Sequence, residues 1–383
     1  MTAMTATERL AHLVAFDTVS DRSNRPLIDY AAGCLHAHGI ETVIVPDETG
    51  TRAGLHATIG PGTAGGVMLS GHTDVVPVDG QAWSSDPFVL RESGGRLYGR
   101  GAADMKGFLA CCLDAVPAMA RASLVRPIHL VMSYDEETTC RGVLPALCDL
   151  VARRPAIAAA VVGEPTSMEI VNAHKGAFGY TVRVEGQPAH SSLAHQGISA
   201  NTIAARLTVW IDERVRAGRR NAADTPFMPP YTTCHVGRIH GGTACNILAG
   251  ECVFDWDLRT MPWDDPARFL ADFTVEAERL VEAARADGHR CNIEIVETFA
   301  VPGLSPEPEG AAEALCRRLT GRNDASVVAY SSEAGFFQEA GLSTVLMGPG
   351  SIEQAHIADE FIEISQLEAC TAFLTRLIEH QST

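Results

Sequence analysis

The stretch that most constrains this chain is an apolar run that ends in an imidazole and a carboxylate. Val67-Met68-Leu69 reads as a buried strand, and it runs out through Ser70-Gly71-His72-Thr73-Asp74. The pattern recurs downstream. The strand-like run Ile128–Ser133 is followed by Asp135-Glu136-Glu137, and Ile157–Val162 by Gly163-Glu164-Pro165-Thr166. A lone His at a strand end is more often a hydrogen-bonded core residue than a ligand. Repetition is what turns the pattern into a site, because the carboxyl ends of strands in an open α/β sheet lie along the edge where sites form.

Local patterns fill in the rest. Helical apolar spacing covers Thr7 to Ala15 and Pro26 to His38, with strands expected at Glu41–Val45 and Leu55–Ile59. Gln81–Gly99 reads as a long polar connection. Phe108–Ala120 reads as a buried, alanine-rich helix that Pro117 should kink or end, with Asp104 where an N-cap belongs. Near Gly176 the pattern changes. Strand (Phe178–Glu185), helix (Ala200–Val215), two strands (His235–His240, Cys252–Arg259), helix (Phe269–Ala286) and strand (Cys291–Glu297) follow in turn. This is the βαββαβ order of the split-βαβ arrangement. Beyond residue 300, βα alternation resumes. The expectation is a three-layer α/β catalytic domain with a mixed, largely parallel sheet, formed by 1–175 and 300–383. Inserted in it is an α+β ferredoxin-like lid domain, 176–299.

His72, Asp74, Asp104, Glu136, Glu137, Glu164 and, late in the chain, His356 collect at strand ends or helix starts. Five carboxylates packed together need counter-charge, since an unpaired buried charge costs on the order of several kcal/mol. Arg100 and Lys106 are the only cations close in sequence, so divalent metal is the economical answer. His and carboxylate without thiolate suit zinc, cobalt or manganese. The set is too large for one tetrahedral ion and sufficient for two that share a bridging carboxylate, about 3.5–4 Å apart. Adjacent residues leaving a strand point in opposite directions, so Glu136 and Glu137 should do different jobs.

Ser70-Gly71-His72-Thr73-Asp74-Val75-Val76-Pro77, Gly99-Arg100-Gly101 with Asp104-Met105-Lys106-Gly107, Asp135-Glu136-Glu137, Gly163-Glu164-Pro165-Thr166 and His356 together resemble the dinuclear zinc aminoacylase/carboxypeptidase family, in order and over almost the whole chain. The resemblance implies hydrolysis of the amide bond of a small N-acyl amino acid. It implies that two Zn2+ (Co2+ or Mn2+ as substitutes) are held by His72, Asp104 and Glu164 on one side and by Asp104, Glu137 and His356 on the other, with Asp104 bridging. Asp74 would orient His72, and Glu136 would be the general base. The Asp104–Met105 peptide would be cis. In the inserted domain His190 would stabilise the oxyanion, and Asn246 and Arg259 would bind substrate. The Gly348–Ser351 turn, through Gly350, would offer N–H groups to a substrate carboxylate. A cationic amino acid would ask for an acid, and Glu333 and Glu353 are nearest by sequence. The resemblance also implies a homodimer through the inserted domain, with His190 completing the partner's site.

Composition excludes other classes. The formal charge of −17 disfavours nucleic acid and anionic membrane as partners. Eleven cysteines without a Cys-x-x-Cys motif read as small buried hydrophobes, among them Cys111, Cys112, Cys148 and Cys252, in a reducing compartment. No signal-peptide core and no bilayer-length apolar stretch is apparent. A cytoplasmic enzyme is expected.

Overall fold

The computed structural model describes residues 4–154, 156–222 and 224–383. Its strands are β1 (Thr42–Pro46), β2 (Ala53–Ile59), β3 (Gly66–His72), β4 (Arg91–Ser93), β5 (Arg96–Tyr98), β6 (Ile128–Ser133), β7 (Ile157–Pro165), β8 (Val171–His174), β9 (Gly176–Glu185), β10 (Thr233–Gly241), β11 (Glu251–Thr260), β12 (Asn292–Val301), β13 (Ser326–Val328), β14 (Thr344–Gly348) and β15 (Phe361–Glu363). Its α-helices are α1 (Ala6–Val14), α2 (Arg25–His36), α3 (Gly107–Arg121), α4 (Leu144–Arg153), α5 (Ala200–Arg220), α6 (Pro266–Ala286), α7 (Ala311–Thr320), α8 (Ala334–Glu339) and α9 (Ile364–Gln381). The chain forms two compact units. One comprises Met1–Ala173, Leu304–Val327 and Ser332–Thr383, the other His174–Gly303 and Val328–Ser331.

The larger unit is built on an eight-stranded sheet in the order β1-β2-β6-β3-β7-β14-β8-β13. Its centre is parallel: β3 pairs with β6 and with β7, and β7 with β14. The centre is also largely apolar, as suits strands covered on both faces; every residue of β3, β6 and β14 is buried. Helices pack on both faces, so the sheet is the mixed, largely parallel one expected. Because β3, β6, β7 and β14 run the same way, His72, the turn after Ser133, Glu164 and the loop after Gly348 emerge at one edge.

Several local expectations are corrected. Helix α3 does not end at Pro117 but continues to Arg121. Leu113, Val116 and Met119 are all buried in the core, and that burial outweighs the one backbone hydrogen bond Pro removes. Asp104 is not an N-cap. It lies in an irregular turn, Ala102–Lys106, at φ −119° and ψ 93°, and α3 begins after it. The Asp104–Met105 peptide is cis, as the resemblance implied. The polar connection 81–99 contains β4 and β5, which with β15 form a three-stranded sheet. Cys148 is exposed, not buried, because α4 turns Ala146, Leu147 and Leu150 inward instead.

The smaller unit has the element order β9-α5-β10-β11-α6-β12 and an antiparallel sheet ordered β10-β11-β9-β12. Period-two alternation decides which face it buries. Tyr180, Val182 and Val184 of β9 and Cys252, Phe254, Trp256 and Leu258 of β11 join Ile203, Leu207 and Ile211 of α5 and Phe273, Ala277 and Leu280 of α6 in one core. The alternate residues of β11, Val253, Asp255, Asp257 and Arg259, are only half-buried.

Candidate metal centre

At the carboxyl edge of the larger sheet, two groups of side chains each bring ligand atoms within 4.8 Å of one another: His72, Asp104 and Glu164, and Asp104, Glu137 and His356. Asp104 belongs to both. Its Oδ1 lies 3.1 Å from His72 Nε2 and its Oδ2 3.3 Å from His356 Nε2, so the two carboxylate oxygens face opposite ways. Glu137 Oε2 is 3.0 Å from His356 Nε2. Glu136 belongs to neither group, and its Oε2 approaches His72 Nε2 only to 3.9 Å.

Each position has a local cause. His72 is the last residue of β3 and fully enclosed. Gly101, at φ +79°, starts the turn that carries Asp104, and a Cβ there would stand 2.7 Å from Val75. Glu164 closes β7 beside Gly163. A Cβ at Gly163 would stand 2.1 Å from the Phe108 ring, so α3 packs this close only against glycine.

Asp74 meets His72 through its carbonyl and its carboxylate. The His72 Nδ1–H donates to the backbone carbonyl of Asp74, at 2.9 Å, while the Asp74 carboxylate stands 3.6 Å away. The carbonyl therefore orients the ring and leaves Nε2 free to ligate. The Asp74 carboxylate also accepts from Ser20 Oγ (2.7 Å) and from the N–H groups of Glu136 (3.2 Å) and Glu137 (3.3 Å).

The electrostatics reveal missing positive charge. Burial and the Asp104 charge push Glu164 up to about 8 and Glu137 up to about 7. Burial and Glu164 raise Glu136 well above the carboxylate range. Burial opposes ionisation of Asp104, yet hydrogen bonds from His356 and His72 outweigh it and hold this carboxyl low. Those to Asp104 and Glu137 raise His356 to about 10. Glu164 Oε1 is buried without a hydrogen-bond partner. Neither nearby cation neutralises the cluster: Arg100 Nη1 donates to Glu360 at 2.8 Å and Lys106 Nζ to the Phe16 carbonyl at 2.8 Å. His and carboxylate donors, an orphaned carboxylate oxygen and no free cation fit a pair of divalent ions.

The remaining candidates divide. Glu333, in the same unit, is buried, and neither carboxyl oxygen makes a well-formed hydrogen bond; burial raises it to about 8, with the Ser133 hydroxyl near enough to oppose the rise. Glu353 is exposed in a short turn. The Gly350 N–H is committed to Gln366 Oε1 at 3.4 Å, and the Gly348 and Ser351 amides to Thr166 and Gln354. In this arrangement the turn uses those donors to hold itself together.

In the smaller unit, His190 is exposed, its Nδ1 2.8 Å from Ser192 Oγ. The Asn246 carbonyl accepts from the Ser191 N–H at 2.9 Å, and His190 bridges to Ile247. His190 and Asn246 thus share one end of the sheet. Arg259 sits at the other end of β11, eight residues and roughly 26 Å from Glu251, bound to Asp257 (2.9 Å) and Ser331 (3.3 Å).

Sequence reasoning missed three supporting residues. Ser20 holds Asp74. The Cys140 thiol donates to the Glu136 carbonyl at 3.2 Å and approaches its Oε1 at 3.5 Å. Glu360 accepts from three amides around Asp104. None stands in a periodic or strand-end pattern, so only the fold brings them to the site.

Known proteins are similar to this chain over most of its length. An acetylornithine deacetylase of Proteus mirabilis is 36% identical over 370 residues, covering 96% of this chain and 92% of that one. A second, from Photorhabdus laumondii, is 35% identical over 368 residues, covering 96% and 93%. The crystal structure of aminopeptidase PepT from Bacillus cereus superposes with a TM-score of 0.74 at 20% identity, over 98% of this chain and 99% of that one. Residues 68–380 match the family described as Peptidase family M20/M25/M40. The chain therefore belongs to that peptidase family and is a metal-dependent hydrolase.

Proposed function

We propose that this enzyme hydrolyses the amide bond of an N-acyl amino acid, and that its substrate is N2-acetyl-L-ornithine, giving ornithine and acetate. The observation that carries the chemistry is the position of Asp104 between two ligand groups, with Glu136 outside both. The specific substrate is supported by the acetylornithine deacetylases that match 96% of the chain. The stretches Gly163–Met168, Asn172–Gly176 and Gly348–His356 are also most similar to such enzymes. A cytoplasmic location goes with this biosynthetic reading.

His72, Asp104 and Glu164 would hold one Zn2+, and Asp104, Glu137 and His356 the other. Bound ions supply Lewis acidity and lower the pKa of water towards about 7. Glu136 takes the proton of the attacking water on its carboxylate and delivers it to the departing amine. Asp74 holds Glu136 and Glu137 in register through their amides. Glu333, a buried carboxyl without a strong partner, is the acid available to a cationic substrate side chain.

The test is the purified, zinc- or cobalt-loaded enzyme against acetylornithine, succinyl-diaminopimelate and acetylmethionine. Acetylornithine should lead by at least about tenfold in kcat/KM, about 1.4 kcal/mol of transition-state discrimination. Equal rates, or preference for the succinyl substrate, would reassign the enzyme as a desuccinylase or a broader aminoacylase.

A further inference from the structure

Arg100 and Glu360 form an ion pair at 2.8 Å with both side chains 1% exposed. A pair this enclosed gains little stability over apolar packing, so its partners deserve an account. Glu360 Oε2 accepts from the Gly101 N–H at 2.9 Å, and Oε1 from the N–H groups of Ala103 (2.9 Å) and Asp104 (3.1 Å). One carboxylate thus gathers three amides of the irregular turn that presents Asp104. No helix or strand ladder supplies partners to those amides, so the turn's shape depends on this acceptor.

The cationic half reaches the other way. Arg100 Nη1 also donates to the Ile357 carbonyl at 3.4 Å, and Nη2 donates to the Gln81 side chain. Gln81 Nε2 in turn donates to the His356 carbonyl at 3.0 Å. His356 itself stands at φ +61° on an otherwise exposed loop. The pair therefore ties together the two segments that meet in the Asp104–Glu137–His356 group. It touches none of the groups that define the first site apart from Asp104.

We propose that Glu360, with Arg100 and Gln81, is a positioning unit that fixes Asp104 and His356 relative to one another and so sets the affinity of the second metal site over the first. The proposal rests on the reading of the two groups as metal sites. Glu360→Gln keeps the volume and one acceptor but turns an N–H2 donor towards amides that are donors themselves. Gln81→Leu removes the link to the His356 carbonyl together with an acceptor of Arg100 Nη2 and of Trp83 Nε1, leaves the Glu360 contacts to the Asp104 turn in place, and lies at a half-buried position.

The experiment is stepwise Co2+ titration of metal-free full-length protein, followed by d–d absorption and by calorimetry, for the parent and both variants. Melting temperature is recorded in parallel. The first equivalent should bind each variant within about threefold of the parent. The second should bind Glu360→Gln at least tenfold more weakly and Gln81→Leu at least threefold more weakly, with a changed d–d spectrum for that step alone. If both equivalents weaken by the same factor, or neither changes, the proposal is overturned, even if the variants melt lower. Should Glu360→Gln fail to fold, Gln81→Leu decides: an unchanged second step overturns it. A parent that binds fewer than two Co2+ overturns the two-metal reading itself, a result distinct from a parent that binds two and variants that match it.

Discussion

Glu136 and Glu137 are chemically identical neighbours with different surroundings, and the difference is set by what each carboxylate meets. Glu137 reaches His356 at 3.0 Å and shares its group with Asp104. Glu136 stays beyond hydrogen-bond reach of His72 and lies beside the Cys140 thiol. Glu136→Gln should therefore keep both metals and lose about 10²–10⁴ of kcat, the usual worth of a positioned acid–base group. Metal content and turnover on the same sample check this. A variant that loses metal, or stays active, would exchange the roles of the two glutamates.

At the scale of elements, the site depends on parallel strands ending together and on how closely α3 lies against them. The contact between α3 and β7 is made through Gly163, where a side chain would enter the Phe108 ring. Overpacking of such a contact costs about 1–3 kcal/mol. Gly163→Ala should lower the unfolding free energy by that amount, read from denaturant melts, and, because Glu164 is the next residue, weaken metal binding as well. Full stability together with parental metal affinity would show that the helix shifts freely and that the close approach does not position the site.

Over the whole molecule, a chain of formal charge −17 concentrates part of its acid where water cannot screen it. Glu137 at about 7, and Glu164 and Glu333 at about 8, hold protons in the metal-free fold that the unfolded chain releases near 4.5. His356, raised to about 10, acts in the same direction. The folded state therefore binds more protons between pH 7 and 8.5, and stability falls as pH rises through the folded values. Lys106, lowered to about 7, and Lys175, lowered to about 8, both by burial, oppose this, but the four raised groups outweigh the two. Metal-free protein should lose stability on the order of 1 kcal/mol per pH unit across that window, and Zn2+ should abolish the trend; thermal melts with chelator and with zinc decide it. Assembly belongs to the same scale. His190 and Asn246 lie at the end of the smaller sheet away from Gly176 and Thr260, where β9 and β11 begin and end. The family resemblance places His190 in a partner's site. Mixing His190→Ala with Glu136→Gln chains under subunit exchange should then restore activity, since some sites would carry neither lesion. A mixture as inactive as its components would make His190 act within its own chain.

The sequence alone determined the features written in local pattern. Apolar runs that end in acids located β3, β6 and β7 and the residues that leave them. Alternation and helical spacing laid out the βαββαβ order from Phe178 to Glu297. What a one-dimensional pattern does not encode is direction and competition between partners. Which oxygen of Asp104 faces which histidine, and that the Gly350 amide meets the Gln366 side chain, depend on groups distant in the chain. Pro117 reads locally as a break, yet tertiary burial carried α3 through it. Glu360 shows the limit most plainly. It lies 256 residues from Asp104 and carries no periodic signal, and only the folded chain turns it into the acceptor for the turn that presents Asp104.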